Sequence, residues 1–295
     1  MMRQPLHILT FDVEDWFHIL DNPETQDIGQ WASLPSRLSA GVNRILNLCD
    51  RTGSKATFFV LGWVAETAPE VVAEIARHGH EIACHSYRHQ LAYTQSQSEF
   101  EEDLIRALDL IESASGVRPT AYRAPGFSVT PQSVWVFDVL ARNGIKIDAS
   151  VFPAPRAHGG LPGFPTGEPC LLKTSVTEPL KLFPMSVVSV FGRRIVFSGG
   201  GYFRLLPYRA VKAGFDRSDY VMTYFHPRDF DPNQPSIPGL SFARKFKSNV
   251  GLGRSLARLE RLAGETKFIS IGDAVEVINW SAMPILSYQD LLPNA

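Results

Sequence analysis

The stretch HEIACHSYRHQ (80–90) joins a short apolar run to two histidines, His85 and His89, that stand four residues apart. HEIAC is typical of the end of a buried strand, because it is short, apolar and contains a β-branched residue. Two histidines at this spacing are either exposed neighbours on one helix face or ligands of a metal ion. The choice depends on which other polar side chains the fold brings close to His85 and His89.

Similar strand-like runs recur before and after this stretch, at LHILTF (6–11), KATFFVLG (55–62), TAYRAP (120–125) and IKIDASVF (145–152). Amphipathic helical patterns lie between them, within residues 36–53, 69–80, 98–116 and 133–146. The alternation implies a parallel sheet, and its repetition favours a barrel or a doubly wound sheet. The predicted fold class is therefore α/β.

The second half of the chain differs in composition, with many proline and glycine residues from Ala154 to Gly201. The glycine run SGGGYFRLLPY (198–208) predicts a turn beside a groove, since no helical pattern begins there. DYVMTYFHPRDFDP (219–232) predicts a strand that ends on His226, and an amphipathic helix is predicted over residues 241–263. Because no low-complexity linker interrupts the chain, we expect one domain with an elaborated C-terminal part.

Composition argues against several classes of function. With 295 residues, 44% of them apolar, the chain can bury a large core, and its formal net charge of −1 gives no electrostatic case for nucleic acid. The three cysteines are widely spaced and odd in number, which argues against a disulfide framework or a thiolate zinc site. The N-terminal residues lack the apolar region of a signal peptide, and no segment resembles a membrane span. We therefore expect a cytoplasmic protein.

Polar side chains of the kinds used in catalysis follow the predicted strands. They are Asp12, Glu14, Asp15, His85, His89, Arg123, Asp148 and His226. The carboxyl ends of the strands in a parallel α/β fold gather on one face, where active sites lie. Two neutral imidazoles and one carboxylate suit Zn²⁺ or a similar divalent ion and leave positions for water and substrate. A second carboxylate can then act as general base, and a separate histidine as general acid.

The segments TFDVEDW, HSYRH, YRAPGF, DASVFP and YFHP, in this order, resemble the five motifs of the polysaccharide deacetylases, the NodB-homology group of carbohydrate esterases. The resemblance is close over residues 5–155. SGGGYFRLLPY and YFHPRDFDPNQP are similar to the C-terminal region of deacetylases from bacterial exopolysaccharide and O-antigen gene clusters. The resemblance implies a distorted (β/α) barrel of about seven strands. It also implies a single deacetylase domain over 1–295, with the core motifs in 5–155 and a family-specific extension in 156–295.

The resemblance implies roles for individual residues. Asp12 matches the catalytic base, and Arg123 matches the arginine that holds this base in place. His226 matches the general acid, and the backbone N–H near Gly126 would help to bind the oxyanion.

The metal ligands implied by the resemblance are the two histidines of HSYRH and a carboxylate of the first motif. The family commonly has a second aspartate directly after the base, whereas Val13 follows Asp12 here. Glu14 is the favoured third ligand, because side chains at i and i+2 of an extended strand share a face. Asp15 is the alternative if the strand has already ended. The expected ion is Zn²⁺, with Co²⁺, Ni²⁺ or Mn²⁺ as other choices.

Three further residues have two interpretations each. Asp148 could orient His226 during catalysis, or it could simply end a strand. Phe127 and Tyr202 could line a sugar groove, since aromatic faces suit the CH surfaces of carbohydrates, or they could pack in the core.

The predicted function is hydrolysis of an amide bond that removes the acetyl group of an N-acetylated amino sugar. The expected partner is a carbohydrate with N-acetyl groups, and the oligomeric state is left open. One alternative is a ring-opening cyclic-amide hydrolase of the allantoinase type. Another is a sugar-binding module without catalytic activity.

Overall fold

The computed structural model describes residues 5–20, 22–190, 193–235, 237, 239–240 and 242–292. Within them the chain forms twelve short strands: β1 (Leu6–Ile8), β2 (Thr10–Val13), β3 (Thr57–Val60), β4 (Glu81–Cys84), β5 (Ala121–Tyr122), β6 (Ile147–Asp148), β7 (Cys170–Leu172), β8 (Leu180–Leu182), β9 (Val188–Val190), β10 (Arg193–Ile195), β11 (Tyr220–Met222) and β12 (Ile285–Leu286). The helices are α1 (Ile28–Trp31), α2 (Leu38–Thr52), α3 (Gly62–Thr67), α4 (Pro69–Arg77), α5 (Gln97–Ser115), α6 (Val136–Arg142), α7 (Gly200–Leu205), α8 (Tyr208–Asp216), α9 (Phe242–Asn249), α10 (Leu252–Glu265) and α11 (Ile271–Val277).

The central sheet is mostly parallel, as the alternation of strands and helices predicts. Its strand order is β12-β7-β8-β6-β5-β4-β3-β2, and only the β7–β8 pair is antiparallel. Strand β1, which leads into β2, pairs in parallel with β11 from the far end of the chain. The α/β class is confirmed, and the second half of the chain supplies a strand next to the first.

The strands curve towards a barrel that backbone hydrogen bonds leave open, as far as the described residues show. The opening lies between the segment after β8 and strand β11, and the side chain of Ser186 bridges it. Its Oγ accepts a hydrogen bond from the backbone N–H of Met222 at 2.8 Å, and the Tyr220 hydroxyl donates to the carbonyl of Pro184 at 2.7 Å. Side chains thus join the two edges where a backbone ladder is absent.

Alternate residues of each strand face two separate cores, because successive side chains of a strand point to opposite faces. Phe58 of β3 packs in the outer core with residues of the surrounding helices, such as Val42 and Ile45 of α2. Its neighbour Phe59 packs in the inner core, which gathers side chains from several strands: Ile8, Ala83, Ala121, Ile147 and Met222. The inner core therefore packs between the strands whose carboxyl ends carry the candidate site residues.

Two predictions for the second half were wrong in detail. The glycine run at 198–208 does not form only a turn, since α7 begins at Gly200. A Cβ at Gly199 would lie 2.0 Å from Cε1 of Tyr224, so glycine is required there by close packing against that ring. The helix predicted over 241–263 is divided into α9 and α10 at Gly251, whose φ of 72° a helix cannot contain.

None of the helices in the described ranges combines the length and hydrophobicity that crossing a bilayer requires. The assignment of residues 1–295 to one domain stays a prediction.

Candidate active site

Asp12 and Arg123 form a buried ion pair at the carboxyl end of the sheet. Asp12 lies in β2, and Arg123 directly follows β5. Nη1 of Arg123 donates to Oδ1 of Asp12 at 2.6 Å and to Oγ1 of Thr10 at 2.8 Å. The guanidinium also lies 4.0 Å from the ring centroid of Phe59, and its side chain is fully buried. These contacts hold the Asp12 carboxylate in one orientation.

Glu14 lies between the two histidines of the HSYRH stretch. Its Oε1 is 3.2 Å from Nε2 of His85 and 3.0 Å from Nε2 of His89, and all three side chains are buried. Nδ1 of His85 is 2.7 Å from the carbonyl of Arg123, which can only accept a hydrogen bond. In the neutral ring, Nε2 of His85 is therefore an unprotonated acceptor that faces the Glu14 carboxylate.

This arrangement fits a divalent cation. Two acceptors in contact repel each other unless a proton or a metal ion lies between them. Nε2 of His89 is also buried without a hydrogen-bond partner among the described residues. The atoms of Glu14, His85 and His89 all lie within 4.8 Å of one another, as three ligands of one ion require. Burial raises the pKa of Glu14, but the neighbouring imidazoles outweigh burial and hold it well below its usual value.

The HSYRH stretch is a buried loop, so the interpretation as exposed histidines on a helix face is wrong. Ser86 and His89 both have positive φ, 68° and 55°, a conformation that residues other than glycine rarely adopt. Asp103 of α5 holds the turn by accepting hydrogen bonds from the backbone N–H groups of Tyr87 at 2.7 Å and Arg88 at 3.1 Å. Sequence reasoning missed Asp103, because it lies on a helix without any motif of its own.

Asp15 faces away from the two histidines. Its carboxylate accepts hydrogen bonds from the Ser36 hydroxyl at 2.6 Å and from the backbone N–H of Arg37 at 3.0 Å, just before α2. It also accepts one from the N–H of Trp16 at 2.8 Å. The structure therefore brings Glu14, and not Asp15, to the histidine pair.

His226 lies close to both Asp12 and Glu14. Its Nε2 is 3.9 Å from Oδ2 of Asp12 and 3.6 Å from Oε1 of Glu14. Its Nδ1 lies 3.2 Å from Oδ2 of Asp229, which also accepts the backbone N–H of His226 at 3.0 Å. Burial lowers the pKa of His226, but the carboxylates of Glu14 and Asp229 outweigh burial and raise it above the usual value.

The carboxylate that contacts His226 is Asp229, so of the two interpretations of Asp148 the structure favours the end of a strand. Asp148 accepts hydrogen bonds from the N–H and the hydroxyl of Ser150, at 2.8 Å and 2.6 Å, and burial raises its pKa to about 7. Burial also raises the pKa of Asp229, but His226 and Arg204 are among the groups that lower it to about 2. The HPRD spacing, three residues from histidine to aspartate in a tight turn, was the signal that could have identified Asp229.

Two adjoining cavities open beside these residues. The site cavity, about 180 Å³, is lined by Asp12, Glu14, His89, Gly126 and Phe127, among others. The side cavity, about 220 Å³, is lined by residues that include Gly200, Gly201, Arg204 and Asp229. Both cavities share four residues: Arg156, Tyr224, His226 and Arg228.

The predicted aromatic and backbone groups differ in their placement. Gly126 and Phe127 line the site cavity, with φ of 62° and 55°. Tyr202 is 50% exposed and is absent from the described lining of both cavities, whereas Tyr224, which the sequence reasoning did not select, lines both. Tyr224 and His226 stand two residues apart in the extended segment YFH (224–226), so their side chains point to the same side of the chain.

His18 is a further residue of the site cavity. Burial lowers its pKa well below the usual value, so the ring is neutral at pH 7. Its Nδ1 accepts a hydrogen bond from the N–H of Asp15 at 3.0 Å, which places the hydrogen on Nε2. That N–H has no acceptor among the described residues.

The family model described as Polysaccharide deacetylase matches residues 5–146, which include Asp12, Glu14, His85, His89 and Arg123. Residues 5–146 are a polysaccharide deacetylase domain. A second model, described as a domain of unknown function (DUF3473), matches residues 149–276. His226 and Asp229 lie in that second range, so the candidate site contains residues from both matched regions.

Curated relatives match the deacetylase region of the chain. Over 114 residues it is 34% identical to the peptidoglycan deacetylase-like protein FGM2 of Gibberella zeae, which covers 38% of this chain and 32% of that protein. Over 131 residues it is 29% identical to the peptidoglycan deacetylase of Helicobacter pylori, which covers 44% of this chain and 42% of that protein. The match therefore spans less than half the length of either relative.

Solved structures show the deacetylase fold over most of the chain. A Mycobacterium smegmatis protein described as a polysaccharide deacetylase superposes with a TM-score of 0.63 and 21% identity, covering 98% of this chain and 92% of that one. A CE4 family pseudoenzyme from Bacillus anthracis gives a TM-score of 0.51 and 13% identity, covering 92% and 66%. At these identities the likeness concerns the fold alone.

Proposed function

We propose that the protein is a metal-dependent N-deacetylase that removes acetyl groups from N-acetylated amino sugars of a bacterial surface polysaccharide or its precursor. The observation that carries this proposal is the convergence of three kinds of group on one cavity. A three-ligand cluster, Glu14 with His85 and His89, lies beside a carboxylate held by a buried arginine and a histidine held by a second carboxylate. Metal-assisted hydrolysis of an acetamide uses each of these groups.

The metal would be held by Glu14, His85 and His89. When bound there, a divalent ion supplies a water of lowered pKa and polarises the acetamide carbonyl. Two imidazoles and one carboxylate are a donor set found in catalytic zinc sites, so we propose Zn²⁺, with Co²⁺, Ni²⁺ or Mn²⁺ as alternatives.

Asp12 would act as general base. Its Oδ1 is bound by Arg123, which leaves Oδ2 free to accept the proton of the attacking water. The guanidinium fixes the direction of the carboxylate, so that little reorganisation is needed when the proton moves.

His226 would act as general acid. With Nδ1 held by Asp229, its Nε2 faces the site cavity and can donate a proton to the amine that leaves the acetyl carbon. The backbone N–H near Gly126 would stabilise the negative charge on the former carbonyl oxygen. The products are acetate and the free amino sugar.

The finer parts of the proposal concern substrate and location. The relatives from Gibberella zeae and Helicobacter pylori are named for peptidoglycan, which supports an N-acetylated glycan as the substrate class. We propose an exopolysaccharide or O-antigen glycan for this chain. We also propose a cytoplasmic location, which the three free, buried cysteines Cys49, Cys84 and Cys170 suit.

The test combines metal content with acetate release. Protein purified without chelators or affinity metals is analysed for bound metal by mass spectrometry and assayed for acetate with N-acetylglucosamine oligosaccharides. We expect one divalent ion per chain, acetate release that a chelator abolishes and added metal restores, and acetate release at least about a hundredfold slower in Asp12→Asn. Bound metal without acetate release from any N-acetylated sugar would favour an inactive sugar-binding module. Ring opening of a cyclic amide without acetate release would favour the allantoinase type.

A further inference from the structure

Arg156 and Arg228 face both cavities, and no carboxylate of the described residues lies within salt-bridge distance of either guanidinium. Each lines both the site cavity and the side cavity, next to Tyr224 and His226. Neither forms an ion pair or a side-chain hydrogen bond within the described part of the chain. Both side chains are partly exposed to the cleft. A guanidinium left unpaired in a cleft is available to a ligand.

Aromatic rings hold the guanidinium of Arg156 in place. Its central carbon lies 4.7 Å from the ring centroid of Phe152, 5.0 Å from that of Phe127 and 5.3 Å from that of Tyr224. Stacking restrains the side chain, but it does not neutralise the charge. The orientation is therefore set before a ligand binds.

The side cavity carries an excess of positive charge. Its charged lining residues are Arg156, Arg204, Arg228 and Asp229, with the titratable His226 beside them. The one carboxylate among these described residues, Asp229, is already paired with His226 and with Arg204 at 3.3 Å. A neutral sugar would leave the remaining charges solvated, whereas an anion would pair with them.

The side cavity also has room for a substituent. Gly200 and Gly201 form part of its wall, and a Cβ built on Gly201 would meet no atom within 4 Å. The space adjoins His226, which the proposed mechanism places at the leaving amine. A group bound here would thus belong to the same substrate as the acetamide.

We infer that Arg156 and Arg228 bind an anionic group, a carboxylate or a phosphate, on the glycan whose acetamide occupies the site cavity. This inference rests on the proposed function, because it places the acetamide beside Asp12 and His226. The planar fork of an arginine side chain matches both carboxylate and phosphate oxygens. The substrate class is accordingly an acidic N-acetylated glycan, and neutral oligomers of N-acetylglucosamine bind more weakly.

The experiment compares acidic and neutral probes by binding and by turnover. Hyaluronan tetrasaccharide supplies a carboxylate and N-acetylglucosamine 1-phosphate supplies a phosphate, while chitotetraose and N-acetylglucosamine are their neutral counterparts. Affinity for the metal-loaded protein is measured by titration calorimetry or saturation-transfer NMR, and acetate release is measured separately. The variants are Arg156→Gln, Arg228→Gln and the control Arg209→Gln, an exposed residue of α8 outside both cavities.

We expect one acidic probe to bind more tightly than its neutral counterpart, and this preference to weaken with added salt. Arg156→Gln and Arg228→Gln should each lower affinity for that probe about tenfold to a hundredfold, as expected for a lost charge-assisted hydrogen bond. Affinity for the neutral probe should change little, and Arg209→Gln should change neither. The probe that responds identifies the anion as a carboxylate or a phosphate.

Equal affinity of the wild-type protein for acidic and neutral probes overturns the inference, and this comparison needs no variant to fold. Equal loss for both kinds of probe in the two arginine variants also overturns it. Selective binding of an acidic probe without acetate release leaves the arginine site intact and refutes the proposed deacetylase activity. Acetate release without any preference for acidic probes supports the deacetylase activity and refutes the arginine site.

Discussion

The matched variants Glu14→Gln and Asp15→Asn should separate metal binding from helix stability at two adjacent positions. Glu14 is 3.0 Å and 3.2 Å from the two imidazoles, whereas Asp15 binds the Ser36 hydroxyl and the N–H of Arg37 before α2. Both changes replace a buried carboxylate by an amide of the same shape. Because their partners differ, Glu14→Gln should weaken metal binding, whereas Asp15→Asn should lower the stability of the fold.

The expected size of each effect follows from these contacts. Loss of a carboxylate ligand should raise the metal dissociation constant by at least about a hundredfold, more than loss of a residue that only supports a ligand. At a free metal concentration about a hundred times the wild-type dissociation constant, metal stabilises the wild type by about 2.7 kcal/mol but Glu14→Gln by only about 0.4 kcal/mol. In Asp15→Asn one acceptor oxygen becomes an amide NH₂ group that cannot accept from the N–H and hydroxyl donors around it, so we expect the free energy of unfolding to fall by about 1 kcal/mol.

The assay is differential scanning calorimetry with and without buffered Zn²⁺, together with metal analysis after equilibrium dialysis. Glu14→Gln should lose the metal-dependent rise in Tm and keep the Tm of the metal-free wild type. Asp15→Asn should bind one ion and show a Tm lowered by about 2 °C with or without metal. Full metal occupancy in Glu14→Gln, or its loss in Asp15→Asn, would refute the assignment of the third ligand.

Three further predictions concern the groups around the cluster. Asp12→Asn should retain bound metal yet lower kcat by about a hundredfold to ten-thousandfold, and unchanged acetate release would exclude Asp12 as the base. Asp229→Asn removes a carboxylate that raises the pKa of His226, so the alkaline limb of the kcat profile should move to lower pH; a profile that keeps its limb would separate Asp229 from the acid. Burial raises the pKa of Asp148 to about 7, above its unfolded value, so the contribution of Asp148 to stability should fall as pH rises from about 4 to 7. Chemical denaturation should show Asp148→Asn gaining about 2 kcal/mol relative to wild type between pH 5 and 8, and a parallel pH dependence would contradict the assignment.

The order of strands and helices could be predicted from the sequence, because periodicity is a local property. The runs around Phe58 and Ile82 are strands, and α2 and α5 end at Gly53 and Gly116, whose positive φ suits glycine. Patterns were less informative in the second half. There α7 begins within a glycine run, because tertiary packing of Gly199 against Tyr224 and of Phe203 against Phe225 overrides the low helix propensity of glycine.

By itself the sequence determined the α/β class, the deacetylase domain of residues 5–146, and the placement of Asp12, Glu14, His85 and His89 at strand ends. The spacing of a strand decides that Asp12 and Glu14 share a face, and motif order decides that the histidines follow a neighbouring strand. Only the tertiary structure decided which carboxylates meet which partners: Asp15 at α2, Asp229 at His226, and Asp148 at Ser150. These contacts depend on the pairing of β11 with β1, which lie 214 residues apart in the chain, and on which polar groups are buried away from water. Neither can be predicted from a local sequence pattern, because both involve residues that are distant in the sequence.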